Sequence, residues 1–109
     1  MRIGILLTTA LLLTACQQAP ETRKLAIVGA KLIDGKGGAP IDHSILLIEG
    51  ATLVKVGAQT SVPLPKDVEI VDGMGKTIEP LPGGTILDAG QPATLQLDQR
   101  TMKDGQWQN

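Results

Sequence analysis

The apolar positions fall into two kinds of run. Residues 3–13 form an apolar stretch interrupted only by Gly4, Thr8 and Thr9. Beyond a polar interval, short apolar runs recur between turn residues, which is the spacing of strands. Residues 25–33 (LAIVGAKLI) come first and stop at Asp34-Gly35 and Gly37-Gly38. Residues 44–48 (SILLI) and 52–56 (TLVKV) flank Glu49-Gly50 and are predicted to pair as a hairpin around it. Strict alternation would send Thr52, Val54 and Val56 to one face, and Leu53 and Lys55 to the other. Residues 61–66 carry Pro63 and Pro65 and cannot form a central strand. Residues 68–71 predict a short strand ended by Asp72-Gly73, residues 77–78 another, and residues 85–87 a brief extension. In 93–97 (ATLQL) Ala93, Leu95 and Leu97 are expected to point inward. Residues 101–103 and 106–108 flank Asp104-Gly105, a two-residue hairpin signal. No segment after residue 24 carries an apolar stripe of helical period. The expected fold is mainly β: a small β-sandwich or open barrel of about seven or eight short strands, preceded by one apolar N-terminal helix.

Composition narrows this picture. A chain of 109 residues holds one small domain. It has no Phe, no Tyr and a single tryptophan, Trp107. The core must therefore be built from Leu, Ile, Val and Ala, with Trp107 packed over it as its one large side chain. A small aliphatic core buries little area per residue, so marginal stability is expected. Acidic and basic residues are interspersed, with a net charge of −1. No basic patch suits nucleic acid. The single cysteine, Cys16, excludes an internal disulfide and a cysteine-based metal cluster.

The first residues have the layout of an export signal. Met1-Arg2 is a positive start, residues 3–13 are the apolar stretch, and Ala15 is the small residue before a cleavage point. Eleven helical residues would span roughly 16 Å, about half a bilayer core, too short for a permanent crossing. Leu13-Thr14-Ala15-Cys16 resembles a bacterial lipobox. That resemblance implies lipidation at Cys16, cleavage between Ala15 and Cys16, and stable anchoring by several acyl chains. Gln17, where an aspartate would retain the protein elsewhere, then implies a place in the cell envelope: the outer membrane facing the periplasm, where the host has one. The expected organisation is a lipoprotein signal peptide over 1–15, a lipidated tether over 16–24 and a β domain over 25–109.

Within the β domain, residues 25–80 resemble the opening of an amidohydrolase-superfamily enzyme of the imidazolonepropionase- and prolidase-like branch. The pieces that carry the resemblance are Gly29-Ala30-Lys31-Leu32-Ile33-Asp34-Gly35, Gly38-Ala39-Pro40-Ile41, residues 44–50, Val56-Gly57, Val62-Pro63 and Val71-Asp72-Gly73-Met74-Gly75-Lys76-Thr77. Residues 85–95 resemble the family's late G-x-I-x-x-G-x-x-A-D-L segment, with Thr94 where Asp is common. Residues 101–107 resemble its closing hairpin. In that family the first and last strands make one composite sandwich, and a metal-binding barrel lies between them in sequence. The resemblance thus implies both sandwich halves, with the barrel absent between about Glu79 and Gly84. A short connection could close that gap at modest entropic cost. A second alignment, of residues 81–89 with the L-P-G-x-I-D-x-H-x-H that opens the barrel, puts Gly90 where the first histidine should be.

Family catalysis uses a divalent metal such as zinc, held by an H-x-H pair, further histidines, often a carbamylated lysine, and an aspartate. This chain has one histidine, His43, in a loop where the family places no ligand. No catalytic, metal or cofactor-binding residue is therefore assigned. His43 reads as a solvated loop residue, and Asp34, Asp42 and Asp72 as turn and capping residues. A nucleophile system of Ser44 or Ser61 with His43 is disfavoured. Neighbours on a strand point to opposite faces, and no G-x-S-x-G elbow is present. The Gly37-Gly38 and Gly83-Gly84 pairs read as turns, since neither opens a helix that could cradle phosphate.

The sequence leaves three functional readings open. One is an amidohydrolase-like β domain, inactive alone, from a family that hydrolyses carbon–nitrogen bonds. Another is an envelope lipoprotein module that binds a partner. The third is the non-catalytic part of a split hydrolase. The expected partners are the membrane, through the lipid anchor, and a protein on the side a barrel would occupy.

Overall fold

The computed structural model describes residues 23–83 and 86–108. The expected signal peptide, the expected lipidation at Cys16 and most of the expected tether lie outside the described residues, as do Gly84, Thr85 and Asn109. The described chain forms nine strands: β1 (Lys24–Val28), β2 (Lys31–Leu32), β3 (Ser44–Glu49), β4 (Thr52–Ala58), β5 (Glu69–Asp72), β6 (Thr77–Glu79), β7 (Leu95–Leu97), β8 (Arg100–Lys103) and β9 (Gln106–Trp107). They make two mixed sheets, in the orders β4-β3-β1-β5 and β2-β6-β7-β8-β9.

The predicted long first strand is two strands that bend from one sheet into the other. The bend is at Gly29, whose φ of 97° is open to glycine and costly for other residues. β5 and β6 make the same crossing beside it. β1 pairs with β5 in parallel and β2 with β6 in parallel. At the corner Gly73 donates to the Val28 carbonyl at 2.7 Å. A Cβ on Gly73 would come within 2.9 Å of Ala30 Cβ, so the two bent strands need a residue without a side chain there. β3 keeps its pairing around the corner as well: Ser44 N–H donates to Ala30 O at 2.9 Å, and Leu32 and Ile41 exchange two backbone bonds.

The main core lies between the sheets. Leu25 and Ile27 of β1, Leu46 and Ile48 of β3 and Leu53 of β4 meet Leu32, Ile78, Leu95, Leu97 and Met102 of the second sheet. Leu87 and Ala93, from the connection between β6 and β7, join them, and Trp107 packs against the cluster from the side. As expected, Ala93, Leu95 and Leu97 all point inward. Each fully buried Leu or Ile contributes about 1.5–3 kcal/mol relative to exposure.

The first sheet has a second apolar face. β4 and β5 occupy its opposite edges, so the chain between them, residues 59–68, must cross the sheet. Val62 and Val68 from this crossing pack on Ala26, Ile45 and Leu47. That explains why all but the last residue of β3 are buried, an unbroken apolar run that alternation alone would not produce.

One sequence expectation fails in β4. Thr52, Val54 and Val56 do not share a face, because the register shifts opposite Leu47 and Ile48. Ile48 pairs with Leu53 and Leu47 with Lys55, which leaves Val54 as the extra residue of a bulge. Leu53 and Val56 therefore both serve the main core, while Val54 faces the crossing segment. The hairpin turn itself sits at Gly50-Ala51, one residue later than Glu49-Gly50. Residues 86 and 87 form no strand, although Leu87 is fully buried and its N–H is held by Asp34 O at 2.9 Å.

The last hairpin turns on Asp104 and Gly105, with φ of 48° and 80°, the left-handed pair that a two-residue turn of this kind requires. Gly105 also lies against the Gly50 carbonyl so closely that a Cβ would overlap it. The two hairpin tips, one from each sheet, are thus seated on each other.

Candidate functional site

The residues singled out for chemistry are placed apart, and most are held in backbone roles. Ser44 is fully buried, and its hydroxyl donates to Ala30 O at 2.8 Å. This holds the corner together and leaves Ser44 closed to solvent. His43 is exposed, with a left-handed φ of 49°. Its backbone is pinned from both sides: its carbonyl accepts from Gln59 N–H at 2.9 Å, and the next N–H, of Ser44, goes to Ala30. No Ser44–His43 pair can form with one side chain sealed at the corner and the other outside. Ser61 is exposed in the crossing segment, within a turn whose N–H donates to Ala58 O at 2.9 Å.

The aspartates read as turn residues do behave so at two positions. Asp34 Oδ1 accepts from Lys36 N–H and Asp72 Oδ1 from Met74 N–H, each at 2.9 Å and two residues ahead. Asp98, with φ of 49°, does the same across a strand pair, accepting from Thr77 N–H at 3.0 Å. Asp42 has no such bond. Among the described residues, no three His, Cys, Asp or Glu side chains come together as a metal site.

β6 and β7 are sequence neighbours that pair with each other. The connection from Pro80 to Thr94 leaves β6 and comes back to pair β7 with β6, in antiparallel register Ile78↔Leu97 and Glu79↔Gln96. Within it, Gly90 N–H donates to Leu53 O and Leu53 N–H to Gln91 O, so the segment lies along the β4 edge. Lys36 Nζ meets Asp88 Oδ2 at 3.0 Å and ties it to the opening half. The hydrogen bond and charge of Lys36, with the Ala89 N–H, hold the Asp88 carboxyl below the usual carboxylate range. The Asp88 carboxylate in turn raises the Lys36 ammonium. Beside the start of this connection is a hollow of about 320 Å³ lined by Glu79, Pro80, Leu81, Pro82 and Gln96. Nearby, Ile33 and Ile86 remain 38% and 37% exposed.

A second hollow, of about 310 Å³, opens at the corner between the sheets. Gly29, Lys31, Asp42, His43, Met74, Gly75, Lys76 and Thr77 line it. His43 and Asp42 were considered from the sequence, whereas Lys31 and Lys76 were not. The two lysines are distant in the chain and become neighbours only because β2 and β6 run in parallel, with Lys31 N–H bonded to Lys76 O at 2.9 Å. A pattern read along the chain carries no signal for that juxtaposition.

No protein-family model matches the chain. No curated protein matches it either. Among solved structures it is similar to molinate hydrolase, at 35% identity over 57% of this chain and 13% of that one, with a TM-score of 0.49. Phenylurea hydrolase B is similar at 35% identity over 52% of this chain and 12% of its own, also with a TM-score of 0.49. A candidate prolidase from Bifidobacterium longum gives 21% identity over 56% of this chain and 16% of that one, with the same TM-score. Each match spans only a small part of the other protein, between 12% and 16% of its chain.

Proposed function

We propose that this chain is a lipid-anchored envelope protein whose folded part is an amidohydrolase-like composite β domain that does not catalyse on its own. The observation that carries this reading is the pairing of β6 with β7. Two strands from the segment resembling the family's opening, β2 and β6, and the three from the segment resembling its close, β7, β8 and β9, form one five-stranded sheet, with the connection from Pro80 to Thr94 between β6 and β7. That pairing supports a sandwich that closes without an inserted domain. The polar groups that the sequence offered for chemistry support the same reading. Ser44, Asp34 and Asp72 spend their side-chain oxygens on backbone groups of corners and turns.

Anchoring rests on the lipobox-like Leu13-Thr14-Ala15-Cys16. From Cys16 to the first strand at Lys24 the chain can reach at most about 29 Å, at 3.3–3.6 Å per residue. The domain would thus be held close to the membrane surface. The interaction-module reading stands beside this one because Ile33 and Ile86 are partly exposed next to the connection, where a second domain or a separate protein could cover them.

Two measurements test the proposal. Metal analysis of the purified processed chain, supplied with zinc, together with amidase and dipeptidase assays, should give less than stoichiometric metal and no turnover. Stoichiometric metal with turnover would overturn the non-catalytic reading. Metabolic labelling with a fatty acid should mark the wild-type chain and not Cys16→Ser. Equal labelling of both would remove the anchor.

A further inference from the structure

We infer that Asp34-Gly35 is a modification site, at which the folded chain converts an aspartate into isoaspartate without an enzyme. The chain carries three Asp-Gly pairs: Asp34-Gly35, Asp72-Gly73 and Asp104-Gly105. Glycine after aspartate favours this reaction, because no Cβ crowds the closing ring. The glycine nitrogen attacks the side-chain carboxyl carbon of the neutral acid. The N–Cγ bond forms, and the carboxyl hydroxyl leaves with the amide proton as water. The product is a five-membered succinimide, which water opens at either carbonyl. Cleavage of N–Cγ restores aspartate. Cleavage between the nitrogen and the main-chain carbonyl leaves the chain running through Cβ and Cγ, one methylene longer, with a free α-carboxylate.

The three pairs differ in what holds the attacking nitrogen. Gly73 N–H donates to Val28 O at 2.7 Å, and Gly105 N–H to Ala93 O at 2.9 Å. Both glycines are buried, Gly73 against Ala30 at the corner and Gly105 against the Gly50 carbonyl. Attack by either nitrogen would break a buried backbone hydrogen bond and displace a packed turn. Gly35 is exposed, and among the described residues no backbone carbonyl accepts its N–H. The aspartate side chains do not make the difference. Asp34 and Asp72 form the same turn, each accepting from the N–H two residues ahead at 2.9 Å. With motif and side-chain geometry alike, the main-chain bond of the glycine decides which pair reacts.

The change reaches the core. Asp34 O accepts from Leu87 N–H at 2.9 Å, and Leu87 is fully buried. In isoaspartate that oxygen belongs to the free carboxylate, and the peptide is displaced along the chain by a methylene. The Lys36–Asp88 pair spans the same junction. Isomerisation at Asp34 therefore loosens the connection between β6 and β7 from the opening half.

The test is ageing of the purified chain in detergent, beside a sample unfolded in urea. Trypsin separates the three pairs into residues 32–36, 67–76 and 104–109, and electron-transfer fragmentation tells isoaspartate from aspartate in each. Folded Asp34 should stay within about threefold of its unfolded rate, while Asp72 and Asp104 should slow by about tenfold or more, since their bonds must first open. Asp34 slowed as much as the other two, or either of them reacting first, would overturn the assignment. An isoaspartyl methyltransferase with a labelled methyl donor should mark the aged folded chain and leave aged Asp34→Glu nearly unmarked, because glutamate would need a six-membered ring. Equal marking of both would place the reaction elsewhere. Amide exchange at Leu87 should quicken in the isoaspartyl fraction, and exchange unchanged there would sever the reaction from the core.

Discussion

The two sheets reach the same end by different means. In the first, β3 and β1 are central strands five or six residues long, with apolar residues on both faces. One face meets the other sheet and one is covered by the crossing segment. In the second, no strand exceeds four residues, and only one face carries a core. Its strands are held in place by what surrounds them: the double bend from the first sheet, the connection along the β4 edge, and the seating of one hairpin tip on the other. The first sheet is stabilised by area, the second by attachment. The domain thus has a part that defines the fold and a part that depends on it.

The comparison is broken most severely at the centre of the first sheet. Leu46 is fully buried and faces the main core from β3. Leu46→Ala should cost about 2–5 kcal/mol, enough to unfold a domain of marginal stability, as read by urea denaturation followed by circular dichroism. Loss of a single cooperative transition for both sheets is expected. If the second sheet kept its own transition, its dependence on the first would be disproved.

Gly105→Ala attacks the attachment instead. A Cβ there would meet the Gly50 carbonyl, in a backbone conformation that already favours glycine. The expected loss is about 2 kcal/mol or more, of which only about 1 kcal/mol comes from the conformation itself. A loss no larger than that conformational share would mean that the two hairpin tips are not packed together. Hydrogen exchange should locate the damage in β8 and β9 before it reaches β1 and β3.

Ser44→Ala removes one buried hydrogen bond at the corner, while Ala30 O keeps its bond from the Ser44 N–H. About 1 kcal/mol is expected, by the same denaturation measurement.

The smallest effect belongs to the Lys36–Asp88 tie. The folded Asp88 titrates below its unfolded value, so the tie contributes fully above the unfolded carboxylate range and fades as pH falls through the folded value. Asp88→Asn should therefore trail the wild type slightly at neutral pH, and the two should converge in acid. A gap that widened in acid would have the wrong sign for this pair.

Much of the fold was legible because the strands are short apolar runs punctuated by turn residues. The Asp104-Gly105 hairpin, the strand before Asp72-Gly73 and the inward Ala93, Leu95 and Leu97 all follow from local chemistry. What sequence could not show is set by contacts between distant residues. The run from 25 to 33 reads as one strand, and only the neighbouring β5–β6 path makes the bend at Gly29 necessary. The parity of β4 was misread because a bulge is fixed by the partner strand, not by the bulged residues. The same holds for candidate sites. Asp34 and Asp72 were readable as turn residues from their neighbours, whereas Lys31 and Lys76 meet only through a parallel pairing across the whole opening half.

β1 has a mechanical consequence as well. It begins at Lys24 and it is not an edge strand: it is hydrogen-bonded to β3 on one side and β5 on the other. Tension arriving along the chain at Arg23 runs parallel to the strand and loads both ladders in shear. Their bonds must then give way together rather than one at a time, as they would if a terminal strand were peeled from the rim. Under the anchoring proposed at Cys16, drag on the domain would enter at β1 and be carried by the two ladders and the apolar packing on both faces of the strand.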